Sequence, residues 1–257
     1  MNVKAKKHLG QHFLTDENIA KKIVEGLDFQ PYQYVLEVGP GTGVLTKYLL
    51  EKPTETYVAE IDTESIEYLK LHFQKLENKH FTGDFLKINL NDIFSGEVAI
   101  IGNFPYNISS QILFKIIENY QQIPEMVGMF QKEVAERTAA VPRTKDYGIL
   151  SVLVQAYYHV KYLLTVHENV FNPPPKVKSG VIKLTRNRKE GLEGNEILFK
   201  QIVKTGFGQR RKKLSNALKS LDIPEVLKSH AFMDKRAEEL SVEDFINFTQ
   251  EWKAAKN

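Results

Sequence analysis

The chain has no cysteine among its 257 residues. That excludes a disulfide framework, a thiol nucleophile and a thiolate-bound metal, and it is compatible with a reducing compartment. Long apolar runs are also missing: nothing approaches the ~18 residues of a membrane-spanning helix. The basic N-terminus, Met1 to Leu9, carries no apolar core of the secretory kind. A soluble, cytoplasmic protein with no membrane attachment is expected. Internal repeats and low-complexity tracts are absent. His8 and His12 lie four apart, a spacing that binds metal on a helix. No third ligand accompanies them and Gly10 lies between, so no metal site is expected.

Acidic residues are absent from three stretches. Residues 1–15 hold three lysines, residues 169–189 hold six Lys or Arg, and residues 199–221 hold seven, none with an Asp or Glu. The formal net charge is only +3, so the remainder is strongly acidic. Such segregation marks a polyanion-binding surface on an acidic body rather than three unrelated solvated loops.

What is present is a succession of short β-branched strands ending in polar loops. Tyr34–Val38 leads into Gly39-Pro40-Gly41-Thr42-Gly43, and a helical apolar face follows at Val44, Leu45, Tyr48 and Leu49. Strand, glycine turn, helix is a nucleotide-binding plan in which backbone approaches ligand at a helix start. The dinucleotide pattern Gly-x-Gly-x-x-Gly is not met, because Val44 stands where its third glycine belongs. A second strand, Thr56–Ala59, ends at Glu60, 23 residues after Glu37, and an acid there suits ribose hydroxyls. Asp62 suits the N-cap of the next helix. Residues 79–82 read as a third strand ending at Gly83-Asp84, and Asp84 suits either an adenine amino group or an ordinary turn. Val98–Ile101 then delivers Asn103-Phe104-Pro105-Tyr106 ahead of an amphipathic helix. Four successive strand ends thus present Gly39, Glu60, Asp84 and Asn103.

Further strands are expected at 126–130, 160–166 and 180–184. Before the first strand, Lys6–Leu14 has no clear period and reads as an arm, followed by a helix capped by Thr15 or Asp16. Phe171-Asn172-Pro173-Pro174-Pro175-Lys176-Val177-Lys178-Ser179 reads as a stiff, extended basic loop. Past a linker at 185–195 only helical patterns remain: 197–207, 214–221, and 242–252 behind the capping Ser241. Arg210-Arg211-Lys212-Lys213 precedes the second of them. The expected architecture is α/β, a mainly parallel seven-stranded sheet at 1–188 that includes the basic arm, with a small all-α domain at 189–257.

Taken in order, Gly10–Leu14, Glu37–Gly43, Asn103–Ser109, Phe130–Ala135, Phe171–Ser179 and Phe207–Leu218 resemble the ribosomal RNA adenine dimethylases, over nearly the whole chain. The resemblance implies a Rossmann-like class I methyltransferase that uses S-adenosyl-L-methionine and makes N6,N6-dimethyladenosine. It implies as substrate two adjacent adenines in the 3′-terminal hairpin loop of 16S rRNA in a partly assembled small ribosomal subunit, and action as a monomer. Carried over by position, cofactor contacts fall on His12, Leu14, Gly39, Glu60, Asp84 and Asn103, and Gly41 of the same glycine turn is expected to join them. From the chemistry of the residues themselves, catalytic roles are expected at Asn103, Pro105, Tyr106 and Phe171, and from the acid-free stretches RNA contacts at Lys176, Lys178, Arg210, Arg211, Lys212 and Lys213. Two positions depart from the family pattern: His12 replaces an Asn and Phe104 replaces a Leu.

Adenine N6 is a poor nucleophile because its lone pair is delocalised. Acceptors at Asn103 Oδ1 and the Pro105 carbonyl would hold its protons and stabilise charge growing on nitrogen. Tyr106 and Phe171 would stack on the two faces of the base. Rival expectations are an enzyme that methylates a single adenine of large-subunit rRNA, as in antibiotic resistance, and an assembly factor whose binding outweighs its chemistry. A nicotinamide oxidoreductase is disfavoured by Val44.

Overall fold

The computed structural model describes residues 3–256. The chain divides into two compact units. One runs up to Ala135 and resumes over His159–Arg186; the other joins Glu136–Tyr158 to the residues from Asn187 onward. Residues 136–158 thus group with the helical unit, whereas the sequence reading ran the first domain unbroken to 188.

The larger unit begins with β1 (Phe13–Leu14), α1 (Glu17–Val24), β2 (Tyr34–Val38), α2 (Thr46–Leu49), β3 (Glu55–Ala59) and α3 (Thr63–His72). It continues with β4 (Val98–Asn103), α4 (Ser109–Glu118) and β5 (Glu125–Gln131). After α5 (Lys132–Ala139), which crosses into the helical unit, and α6 (Ile149–Gln155), which belongs to it, the larger unit resumes with β6 (Tyr158–Val166), β7 (Phe171–Asn172) and β8 (Ser179–Arg186). The main sheet has the order β3-β2-β4-β5-β8-β6. β3, β2, β4 and β5 run parallel, and β8 is antiparallel to β5. The chain moves from β2 to β3 on one side and then to β4 on the other. Connections leave the carboxyl ends of β2 and β4 in opposite directions, and the gap they leave is where ligands bind in such sheets.

The parallel strands are buried along nearly their whole length, as their unbroken apolar runs require. Of the two capping candidates before α1, Asp16 serves: its Oδ1 accepts from the N–H groups of Asn18 and Ile19 at 2.9 and 3.0 Å. The helix then buries Ala20, Ile23 and Val24. At the amino end of β5 the buried Glu125 accepts from Tyr32 Oη at 2.6 Å and from the Asp28 N–H at 3.0 Å, and it pairs with Lys183 on β8 at 2.5 Å.

One expectation is corrected here and one is made specific. Among the described residues the sheet has six strands: 79–82 contributes a single parallel bridge, Phe81 to Val58, after a 3-10 turn. The turn forms because His80 Nδ1 accepts from the Glu77 N–H, which bends the chain before it can extend. The segment read as an arm is docked. β1 pairs antiparallel with β7, Leu14 opposite Phe171, and Thr15 N–H donates to the Val170 carbonyl at 2.8 Å.

The helical unit carries α7 (Glu196–Gly208), α8 (Leu214–Ala217) and α9 (Val242–Ala254). Ser241 and Asp244 cap α9 reciprocally, at 3.1 and 2.8 Å. Its core is aromatic, with Tyr147 against Phe207, Phe207 against Phe245, and Phe248 against Trp252 at centroid distances of 5.7–5.9 Å. The expected second helix is shorter than its pattern, because the chain turns at Leu218.

Candidate active site

A cleft opens at the carboxyl ends of β2, β3 and β4. Its lining includes Gly39, Gly41, Glu60, Asp84, Asn103, Pro105 and Tyr106, with Gly10, Gln11 and His12 from the docked N-terminal segment. The four positions singled out by sequence therefore meet in one place, Gly39, Glu60 and Asn103 at strand ends and Asp84 on the loop after the isolated Phe81 bridge.

Each wall has a local cause. Gly41 sits at φ +54°, and a Cβ there would lie 2.7 Å from the Phe13 ring. Only glycine lets the turn pass under that ring and leave its backbone bare toward the cleft. Glu60 is buried at the tip of β3. One carboxylate oxygen accepts from the Ile61 and Asp62 N–H groups, both at 2.9 Å, and the other from the Gly41 N–H at 3.2 Å. Burial pushes its pKa upward, against those backbone donors. A carboxylate offers about four acceptor positions, so three donors leave one for a ligand hydroxyl. Asp84 turns its own loop, accepting from the Leu86 N–H at 3.0 Å, with Lys87 at 3.3 Å on its other oxygen.

Glu37 lies below the glycine turn. It is 1% exposed, and Thr46 Oγ1 donates to it at 2.6 Å. Burial pushes its carboxyl up to about 8, so at neutral pH it is largely a neutral acid tying β2 to α2.

The Asn103 loop is braced on several sides. Asn103 Nδ2 donates to the His12 carbonyl at 2.8 Å. Oδ1 takes no hydrogen bond from any described residue, so it remains as the acceptor of that amide. The Pro105 carbonyl is already engaged, accepting from the Ile108 N–H at 3.3 Å and Ser109 Oγ at 3.5 Å. Both bonds are long, and a carbonyl has two lone pairs. Tyr106 Oη lies 2.6 Å from Ser179 Oγ at the start of β8, and burial raises the phenol pKa. The Phe104 ring is 1% exposed and packs on Phe130 at 4.9 Å. Its seat is formed by Gly102 and Gly128, paired in register on β4 and β5, where added Cβ atoms would meet the ring. The larger side chain at this departure is thus accommodated beneath the loop.

Two positions fall elsewhere. Phe171 is 4% exposed within the apolar core that holds Leu14 and Val181, and it does not line the cleft. The β1–β7 pairing draws it inward, so a stacking role is not open to it in this conformation. Leu14 is likewise buried and borders only a smaller neighbouring cavity. Sequence reading missed Gln11, Ser179 and the second role of Asp62. Asp62 caps α3 as expected, accepting from the Glu64 N–H, and it also receives Gln11 Nε2 at 3.2 Å and the Lys6 ammonium. The Gly10-Gln11 pair in the arm was the available signal for the first of these.

The basic positions separate as well. Arg210 pairs with Glu238 at 2.6 Å and donates to the Thr144 carbonyl, and Lys213 pairs with Asp234 at 2.9 Å. Arg211 and Lys212 are exposed with no ion pair among the described residues, and Lys176 and Lys178 are exposed on the proline loop. Among the described residues no group of three or more His, Cys, Asp or Glu is arranged to hold a metal ion, and no helix is long and apolar enough to cross a membrane.

The family profile of the ribosomal RNA adenine dimethylases matches residues 2–254. The chain belongs to the ribosomal RNA adenine dimethylase family. It is 58% identical over 253 residues to the ribosomal RNA small subunit methyltransferase A of Flavobacterium johnsoniae, covering 98% of this chain and 97% of that one. Its identity to the protein of the same name from Cytophaga hutchinsonii is 57%, covering 96% of each. Among solved structures, a dimethyladenosine transferase from Plasmodium falciparum superposes with a TM-score of 0.83 at 26% identity, covering 95% of this chain and 98% of that one. A 23S rRNA methyltransferase, ErmE, superposes at 0.68 with 24% identity, covering 94% and 99%, which supports the fold alone. The α/β class I methyltransferase architecture read from the sequence is therefore the observed one, and membership makes this an RNA methyltransferase that needs a methyl donor.

Proposed function

We propose that the protein dimethylates N6 of two adjacent adenines in the 3′-terminal hairpin loop of small-subunit rRNA, with S-adenosyl-L-methionine as donor, during small-subunit biogenesis. The observation that carries this reading is the convergence of bare glycine backbone, the Glu60 carboxylate, Asp84 and the Asn103 amide on one cleft. High identity over full length to proteins named for the small subunit favours that substrate over large-subunit rRNA.

The residues fit the donor. Gly39 and Gly41 let backbone approach it, the remaining acceptor position of Glu60 suits a ribose hydroxyl, and Asp84 suits an adenine amine. The bound donor supplies an electrophilic sulfonium methyl. Asn103 Oδ1 accepts from the target amine and aligns its lone pair; alignment is the larger share of such catalysis. Because nitrogen gains positive charge as the bond forms, an amide acceptor stabilises it without being a base. The Ser109 hydroxyl donates more closely to the Tyr106 carbonyl, at 3.0 Å, than to Pro105, so with Ile108 N–H on one lone pair the Pro105 carbonyl has its second for the amine. Tyr106 presents its ring to the base at ~1–3 kcal/mol per stacked base. Such a base must be unpaired or flipped to enter, which suits an RNA loop. Arg211, Lys212, Lys176 and Lys178 contact phosphates, and the protein acts as a cytoplasmic monomer.

Undermethylated small subunits incubated with labelled donor, followed by base mapping, test the reading. Label on the two adjacent adenines is expected. Label on a large-subunit adenine, or subunit maturation that is indifferent to loss of Asn103, would overturn it in favour of the resistance-type enzyme or the assembly factor respectively.

A further inference from the structure

We propose that Ser179 is a positioning residue for the methyl transfer: its hydroxyl tethers the Tyr106 phenol and fixes the direction of the ring on which the target base stacks. The inference rests on the reading of Tyr106 as the platform for that base. Tyr106 opens the turn that follows β4, and its Oη lies 2.6 Å from Ser179 Oγ at the start of β8. Ser179 is fully buried, and among the described residues each hydroxyl has the other as its hydrogen-bond partner.

The two ends of this tether differ in stiffness. Ser179 stands opposite Gln131 in the antiparallel β5–β8 ladder, and beside it the Lys132 N–H donates to the Lys178 carbonyl at 2.9 Å. Tyr106 stands on a single 3-10 turn, Tyr106–Ile108, outside the sheet. β5 lies between β4 and β8, so strand spacing sets those two about 10 Å apart, and the tyrosine side chain bridges from the end of one to the start of the other. A tyrosine side chain turns about two bonds. Its Oη lies on the axis of the second, so a hydrogen bond there fixes where the ring axis points and leaves the plane to settle against a base. Burial raises the phenol pKa, which keeps the hydroxyl protonated and the contact intact at neutral pH. Loss of either hydroxyl leaves the other without its partner, and buried polar groups without partners are rare in folded proteins. Without Ser179 the half-buried phenol takes water instead and the ring swings with it. The phenol is thus the anchor of the ring, which a phenylalanine would lack. Ser179 directly follows Lys178, so the basic proline loop rejoins the sheet at the same point that directs the platform.

Tyr106→Phe removes one hydroxyl, Ser179→Ala the other, and the double variant both. Calorimetry with S-adenosylmethionine measures donor affinity, filter binding measures affinity for undermethylated small subunits, and single-turnover transfer with both at saturation measures the rate. The expected rate is about 10-fold down in each single variant and no lower in the double. Donor affinity should not change, and subunit affinity should hold because it rests mainly on phosphate contacts. A wild-type rate in either single variant would overturn the proposal. So would losses that multiply in the double variant, or weakened donor binding with an unchanged saturated rate. If Ser179→Ala does not fold, Tyr106→Phe carries the test beside Tyr106→Ala: the tether requires the Phe variant to be slower than wild type. Tyr106→Ala also separates the two readings. Full transfer by that variant would refute the platform itself, whereas loss in Tyr106→Ala with none in Tyr106→Phe would refute the tether and leave the platform standing.

Discussion

Substituting Gly128 by alanine should disable the Asn103 loop from beneath. A Cβ at Gly128 would lie 2.8 Å from Phe104 Cδ2, closer still to Cε2, and 2.9 Å from Met126 Sδ. Non-bonded carbons rest at about 3.5–4.0 Å, so the 2.1 Å contact to Cε2 requires the ring to move by more than an ångström. It has nowhere to go. Gly102 leaves no space on its own strand, where an added Cβ would lie 2.8 Å from Phe104 Cε1, and Phe130 packs against the ring at 4.9 Å. Overpacking of this kind costs about 1–3 kcal/mol, offset by the roughly 0.5–1 kcal/mol that alanine regains over glycine in regular structure. A net loss of about 2 kcal/mol is expected by urea unfolding. Phe104 lies between Asn103 and Pro105, and its N–H donates to the Met129 carbonyl at 3.1 Å. Displacing it shifts both neighbours, and a misplacement near 1 Å costs about 100-fold in rate. The informative variant is the double one. Phe104→Leu alone leaves a gap under the loop, and adding Gly128→Ala partly fills it, so the pair should lose less stability and rate than the two singles summed. A Gly128→Ala enzyme of wild-type stability and rate would refute the packing argument, as would simple additivity in the double variant.

Charge reversal at Arg211 and Lys212 should weaken subunit binding and flatten its dependence on log salt by about two; Arg210→Ala should chiefly destabilise, because that side chain is held by Glu238 and the Thr144 carbonyl. An unchanged salt slope in the Arg211/Lys212 variant would remove the phosphate role. Burial raises the Glu37 pKa from 4.5 to about 8. The sign follows: its contribution is fully present below 4.5 and is lost as pH rises toward 8, because the unfolded chain ionises first. Glu37→Gln keeps the Thr46 contact and removes that slope, a relative gain on the order of 3 kcal/mol at neutral pH. Urea unfolding at pH 5 and pH 8 reads it, and equal pH slopes for variant and wild type would contradict a buried neutral acid. Asp16→Ala should cost about 1 kcal/mol through loss of the α1 cap, visible in thermal melting with donor affinity unaltered.

Much of the cleft was legible because its walls are strand ends, and strand ends announce themselves locally. A β-branched run followed by glycine or an acid marks both the strand and where it stops. Gly39, Glu60 and Asn103 are such positions, and family resemblance gave a chemistry to them and to Asp84, which lies on the loop after the isolated Phe81 bridge. Residues 79–82 misled for the same local reason: a β-like composition is outweighed by the His80 contact to the Glu77 backbone, which no period reveals.

The sequence by itself determined the order of elements, the family, and the segregation of positive charge, since each is written in spacing and composition. Only tertiary structure decided which candidates meet. The pairing of β1 with β7 brings residues 13–14 against 171–172, which draws Phe171 into the core and seats His12 on Tyr106. Ion pairing with Glu238 and Asp234 withdraws Arg210 and Lys213 from a run of four cations that look equivalent in one dimension. Contacts across 160 residues, and the partner each charge finds, depend on how the chain closes on itself, and local sequence carries no record of that closure.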